Sequence, residues 1–146
     1  MEIKYMKEAL KEAQKSTYDI PVGAIIVYED EILARAHNLT ESNQDPTDHA
    51  EIIAIKEASK ILGSWRLLDC AMYVSLEPCP MCAGAIISSR IKRLVIGARD
   101  PKRGCCGSVY NLVDNANFNH RVELVTGVME DESRKLLQDF FRKRRK

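Results

Sequence analysis

Two extended runs, "AMYVSL" at 71–76 and "RLVIGA" at 93–98, bracket a short helical stretch, "CPMCAGAIIS" at 79–88, and this order constrains the fold more than any other feature of the chain. Strands joined through a helix lie parallel, with the helix laid over one face of the sheet. Upstream, "VGAIIVY" and "ILARAHN" flank only Glu29 and Asp30, a connection short enough for an antiparallel hairpin. A sheet that starts with a hairpin and continues through helical crossovers is mixed.

The remaining segments complete the layers. Tyr5, Met6, Ala9, Leu10 and Ala13 recur at helical spacing and predict an amphipathic helix over 2–15. "HAEIIAIKEASKIL", from His49 to Leu62, is apolar on most sides and stops at Gly63, which predicts a largely buried helix. "LTESNQDPT" before it reads as a loop. A fifth extended run, "RVELVTG", precedes "DESRKLLQDFFRKRR", where Leu136, Leu137, Phe140 and Phe141 make one apolar face of a basic helix over about 130–146. The expected architecture is α/β: three layers, α/β/α, around a mixed five-stranded sheet. At 146 residues the chain suits one domain, 1–146, able to bury a core without disulfides.

"MEIKYMKEAL" carries charge every few positions, and no stretch approaches membrane-spanning length, so the expectation is a cytoplasmic protein with no membrane partner. In a reducing compartment scattered cysteines are buried filler, whereas paired cysteines near a histidine suggest metal. Cys70, between "LLD" and "AMY", reads as filler.

Cys79 and Cys82 are three residues apart, so one helical turn aims both at one point. A helix N-terminus also favours the thiolate that a metal needs. His49 stands in "PTDHAE" at the start of another predicted helix, and loops at the carboxyl ends of neighbouring strands gather at one edge of an α/β sheet. The three residues can therefore meet. Three protein ligands leave zinc a fourth position for water, the mark of a catalytic site, whereas structural zinc takes four. Cys105 or Cys106 could close the sphere and abolish chemistry, but they are adjacent in "KRGCCGS" and lack the spacing with which a pair grips one metal. Glu51 lies about 200° round the helix from His49, yet first-turn side chains lean beyond the helix end and can converge. It would approach the bound water without ligating the ion.

The formal net charge is +1, and the final five residues, Arg142, Lys143, Arg144, Arg145 and Lys146, are all basic, so the rest of the chain carries −4. That distribution excludes a uniformly basic nucleic-acid binder. A basic tail alone reads as a solvated terminus and gains meaning only beside a second feature that points at a polyanion.

His-x-Glu followed by Pro-Cys-x-x-Cys is the signature of the zinc-dependent cytidine deaminase-like superfamily. Beyond that core, "PVGAIIV", "AHN", "DPTDHAEIIAI", "LEPCPMCAGAIISSRI", "IGARDPKRGCCGS", "NHRVEL" and "DFFRKRR" resemble the bacterial tRNA-specific adenosine deaminases nearly end to end. The resemblance implies that His49, Cys79 and Cys82 bind one zinc with its water or hydroxide and that Glu51 shuttles protons. It implies that Asn38 contacts the target nucleoside and Asp100 the RNA backbone beside it. Asn119, His120, Phe140 and Phe141 would meet anticodon-loop nucleotides, and Arg142, Arg144 and Arg145 would neutralise tRNA phosphates. The family also implies a homodimer with a tRNA anticodon stem-loop bound across both subunits. The expected reaction is hydrolytic deamination of adenosine to inosine at the wobble position, on a base already out of its stack in a single-stranded loop. Two other readings remain open: a deaminase of free guanine, cytosine or a nucleotide, which would use the same zinc residues, and a noncatalytic zinc-bearing RNA-binding module.

Overall fold

The computed structural model describes residues 2–144. Along them run α1 (Glu2–Gln14), β1 (Gly23–Tyr28), β2 (Glu31–His37), α2 (Thr40–Asn43), α3 (Ala50–Leu62), β3 (Ala71–Leu76), α4 (Pro80–Ser88), β4 (Arg93–Ala98), β5 (Glu123–Val125) and α5 (Glu130–Arg144). The sheet order is β2-β1-β3-β4-β5. β1 pairs antiparallel with both β2 and β3, while β3–β4 and β4–β5 are parallel. The expected mixed five-stranded sheet is present, with helices on both faces. At the hairpin Glu29 and Asp30 both have positive φ, the backbone that a two-residue turn needs to follow the strand twist.

Strand alternation divides the core in two. Ile25, Val27, Tyr73 and Val95 face α1, where Tyr5, Met6, Ala9 and Leu10 cover them and Leu136 of α5 packs alongside. Ala24, Ile26, Met72, Val74, Leu94 and Ile96 face the other way, against α3 and α4. Gly23 lets α1 approach β1 closely: a Cβ there would lie 2.5 Å from Ala13 N and 3.0 Å from Glu12 Cβ.

α3 is less buried than its composition predicts. Only Ala50, Glu51, Ala54 and Ala58 are buried, and Ile61 is 56% exposed. The alanine stripe, at three- and four-residue spacing, lets the helix backbone sit close to the sheet, which leaves the isoleucines on its shoulders. α2 forms inside the segment read as a loop. At the C-terminus, Arg145 and Lys146 lie outside the described residues. Among the described helices none is long and apolar enough to cross a membrane.

Candidate active site

The topology brings four chain segments to one edge of the sheet. β2 ends there because it is antiparallel to β1, and β3 and β4 end there because they run parallel to each other and antiparallel to β1. Asn38 follows β2, Cys79 follows β3, and the segment beginning at Arg99 follows β4. His49 opens α3 at the same edge.

His49 is the N-cap residue of α3 but makes no side-chain cap bond, so its ring is free for other work. Asn38 supplies the missing acceptor: its Oδ1 accepts the Ala50 N–H at 2.8 Å. That bond leaves Asn38 Nδ2 as the donor available at the pocket it lines. The preceding turn is held in its place by Asp19, buried, whose carboxylate accepts Glu41 N at 2.5 Å and Ser42 Oγ at 2.6 Å.

Cys79 caps α4 in the same manner, without a side-chain cap bond and with Pro80 at the first helical position. Its Sγ lies 3.6 Å from His49 Nδ1, and Cys82 Sγ lies 3.5 Å from the same atom. The ligand atoms of all three lie within 4.8 Å of one another, and among the described residues no other cluster of His, Cys, Asp and Glu converges this way. A tetrahedral ion at about 2.3 Å from sulfur and about 2.0 Å from nitrogen requires an S···N separation of about 3.5 Å, so the residues fit zinc. Cys105 and Cys106 are buried but stand outside the cluster. The hydrogen bond with Cys82 and the one with His49 bring the Cys79 thiol down to about 3, against the raising effect of burial. The same bond, together with burial, holds the Cys82 thiol up. His49 in turn is held above its ordinary value by its hydrogen bond to Cys79, against a lowering by burial and by the charge of Arg103.

Glu51 is 4% exposed and lines the same pocket. Burial pushes its carboxyl up to about 7, into the range where a group can both take and give a proton. The pocket has a volume of about 900 Å³. His49, Glu51 and Cys79 line it together with Leu137, Phe140 and Phe141 of α5.

The expected RNA-contacting residues divide. Asn38, Asp100, Phe140, Phe141 and Arg144 line this pocket. Arg144 is already engaged: its guanidinium stacks 4.8 Å from the Phe140 ring centroid and 5.3 Å from that of Tyr18, and donates to the Tyr18 carbonyl. Arg142 pairs with Asp139 at 2.5 Å and does not line the pocket, and Arg145 lies outside the described residues. Asn119 and His120 are not brought to it either. Asn119 lines a separate depression with Ile87, Leu112 and Phe118, and His120 Nε2 is 2.8 Å from the Ile91 carbonyl oxygen. Sequence reasoning missed the cations that do line the pocket, Arg99, Lys102 and Arg103. Their signal was available in "GARDPKRG", three bases around the one acid that was singled out.

Comparison with known proteins gives a consistent result. The family model of MafB19-like deaminases matches residues 2–145. The tRNA-specific adenosine deaminase of Bacillus subtilis is 52% identical over 97% of this chain and 89% of its own length. That of Haemophilus influenzae is 46% identical over 97% of this chain and 84% of its own. A solved tRNA:A34 deaminase, from a study of A-to-I editing at the wobble position of transfer RNA, superposes with a TM-score of 0.88 at 39% identity, over 92% of this chain and 99% of that one. A guanine deaminase from Bacillus subtilis is 41% identical but covers only 66% of this chain and 63% of its own, with a TM-score of 0.63.

Proposed function

This chain belongs to the MafB19-like deaminases and, within them, to the tRNA-specific adenosine deaminases, and we propose that it converts adenosine to inosine at the wobble position of a tRNA anticodon loop with zinc held by His49, Cys79 and Cys82. The observation that carries the site assignment is the convergence of those three side chains beside a buried Glu51 in one pocket. When bound, zinc supplies Lewis-acid activation of water, which brings its deprotonation near neutral pH. Glu51 would accept a proton from the attacking water at its carboxylate and deliver it to the adenine ring nitrogen beside C6 as the water oxygen bonds to C6. The carboxylate would then take the second proton, from the new C6 hydroxyl, and pass it to the exocyclic amine as the C6–N bond breaks, so that water and adenosine become inosine and ammonia. Asn38 Nδ2 donates to the target nucleoside, and the aromatic wall of Phe140 and Phe141 receives neighbouring bases. Asp100 orients the adjoining backbone.

The reading treats residues 1–146 as one catalytic unit acting in the cytoplasm, where its substrate resides. It also includes a homodimer. Asn119 lies off its own chain's pocket beside exposed Phe118, a placement that a second copy bound across this surface would explain. The tail would add, through Arg142 outside the pocket and through Arg145, only a weaker, screened attraction for tRNA phosphates.

Inosine formation decides the substrate. Purified protein is incubated with an anticodon stem-loop bearing adenosine at the wobble position, with free adenosine, and with free guanine. Inosine in the stem-loop alone is expected. Ammonia released from guanine alone would favour the free-base reading, and a zinc-loaded protein with no ammonia release at all would favour a noncatalytic RNA-binding module.

A further inference from the structure

Glu77 stands between β3 and the metal-ligating turn, two residues before Cys79, and is 3% exposed. No Lys, Arg or His pairs with it among the described residues. A buried carboxylate without a cation is costly unless donors satisfy it, and here the donors come from one loop. Oε1 accepts Asp100 N at 3.0 Å and the Ser108 hydroxyl, and Oε2 accepts Cys106 N at 3.0 Å and Ser108 N at 2.9 Å. The loop closes on the acid from the other side as well. A Cβ at Gly104 would run into the Glu77 carboxylate and lie 2.6 Å from the Asp100 carbonyl oxygen. Next to it, Cys105 N donates to the Pro78 carbonyl at 2.9 Å.

The clamped segment is the pocket wall that holds Asp100, Lys102 and Arg103. Asp100 spends its carboxylate on the same fold, since Oδ1 accepts Lys102 N and Arg103 N, each at 3.1 Å. The positions of the two cations therefore follow from a loop wound around Glu77.

We propose that Glu77 is a positioning residue for the substrate: its carboxylate gathers the loop 100–108 so that Lys102 and Arg103 stand at the pocket where a polyanionic RNA strand enters. Glu77 borders the pocket, but both of its carboxylate oxygens are taken by this loop, so it acts on the substrate through the loop. The proposal rests on the RNA-deaminase reading for its kinetic consequence but not for its structural one. Glutamine is nearly isosteric yet can accept at only one atom and presents N–H groups to facing donors. Glu77→Gln should therefore release the loop while changing little volume.

The test combines three measurements on Glu77→Gln and on the milder Ser108→Ala: zinc content, amide exchange, and steady-state kinetics with the anticodon stem-loop. In Glu77→Gln the amides of 100–108 should exchange faster while those of β3 and β4 keep their protection, and zinc should stay at one per chain. KM should rise by about tenfold or more with kcat within about threefold of wild type, the split expected when binding shared by ground and transition states is lost. Ser108→Ala should move KM the same way by a smaller factor. Loss of zinc, or a fall in kcat at unchanged KM, would overturn the proposal by placing Glu77 at the metal or the chemistry. Unchanged exchange in 100–108 would overturn the clamp even if the wild-type protein proved inactive on RNA, which would itself count against the substrate reading alone. Should Glu77→Gln fail to fold, Ser108→Ala decides, and an unaltered KM there ends the proposal.

Discussion

Asn38 Oδ1 accepts the Ala50 N–H at 2.8 Å, so one side chain caps α3 from twelve residues upstream and still lines the pocket. The bond frees His49, the formal N-cap residue, to turn its ring toward the two sulfurs. It also orients the Asn38 amide, because the acceptor end is used by the protein and the donor end is left over.

Asn38→Asp should separate these two roles. A carboxylate still accepts the Ala50 N–H at a helix N-terminus, so stability to urea should stay within about 0.5 kcal/mol of wild type. The donor is lost, and kcat/KM for the stem-loop should fall by about 10²-fold or more. Asn38→Ala should lose activity and also about 1 kcal/mol of stability. An Asp variant as active as wild type would show that the Asn38 N–H groups are not used.

Glu51→Gln keeps the shape of the buried carboxyl and removes its proton chemistry. Zinc content measured by atomic absorption should be unchanged, and kcat should fall by about 10²- to 10⁴-fold. Retained zinc with near-wild-type turnover would rule out the proton-transfer role.

Cys82 is fully buried beside the His49 ring, and its loss leaves two ligands in place of three. Cys82→Ser should bring zinc well below one per chain and abolish inosine formation. Chelation of the wild-type protein should do the same and lower Tm, since an ion bound only by the folded state stabilises it by mass action. Restored activity on adding zinc back checks that the loss is of metal and not of fold.

The cations of the pocket and those of the tail should behave differently. Lys102→Ala and Arg103→Ala each remove a charge that lines the pocket, so each should weaken stem-loop binding and reduce the salt slope, log Kd against log salt, by about 0.7. Arg142 is held against Asp139 away from the pocket, and Arg142→Ala should change KM by less than about twofold. Equal effects from all three would return the phosphate contacts to the tail.

Fold class, the order of the longer elements and the convergence of His49, Cys79 and Cys82 were legible in the amino-acid sequence, because hydrophobic period, turn residues and ligand spacing are local. "HAE" and "PCPMC" mark three side chains that can hold a metal, and two crossover segments imply that their starts meet at one sheet edge. What failed was non-local. α2 lies where the sequence predicts a loop, because the carboxylate that anchors its first turn belongs to Asp19, more than twenty residues upstream. The isoleucines of α3 predict deep burial, but its alanines decide the depth at which it packs. Lys102 and Arg103 line the pocket although the tail is the more conspicuous basic run, while Asn119 and His120 lie off this chain's own pocket, which leaves their contact with RNA to the proposed second copy. Glu77 had no signal of its own, since nothing in "LEPC" reveals that a loop beginning more than twenty residues later will direct its N–H groups at that acid. Spacing along the chain determined which atoms can hold a metal. Which backbone donors surround a buried charge is settled only when distant segments fold against each other, and that part was left to the tertiary structure.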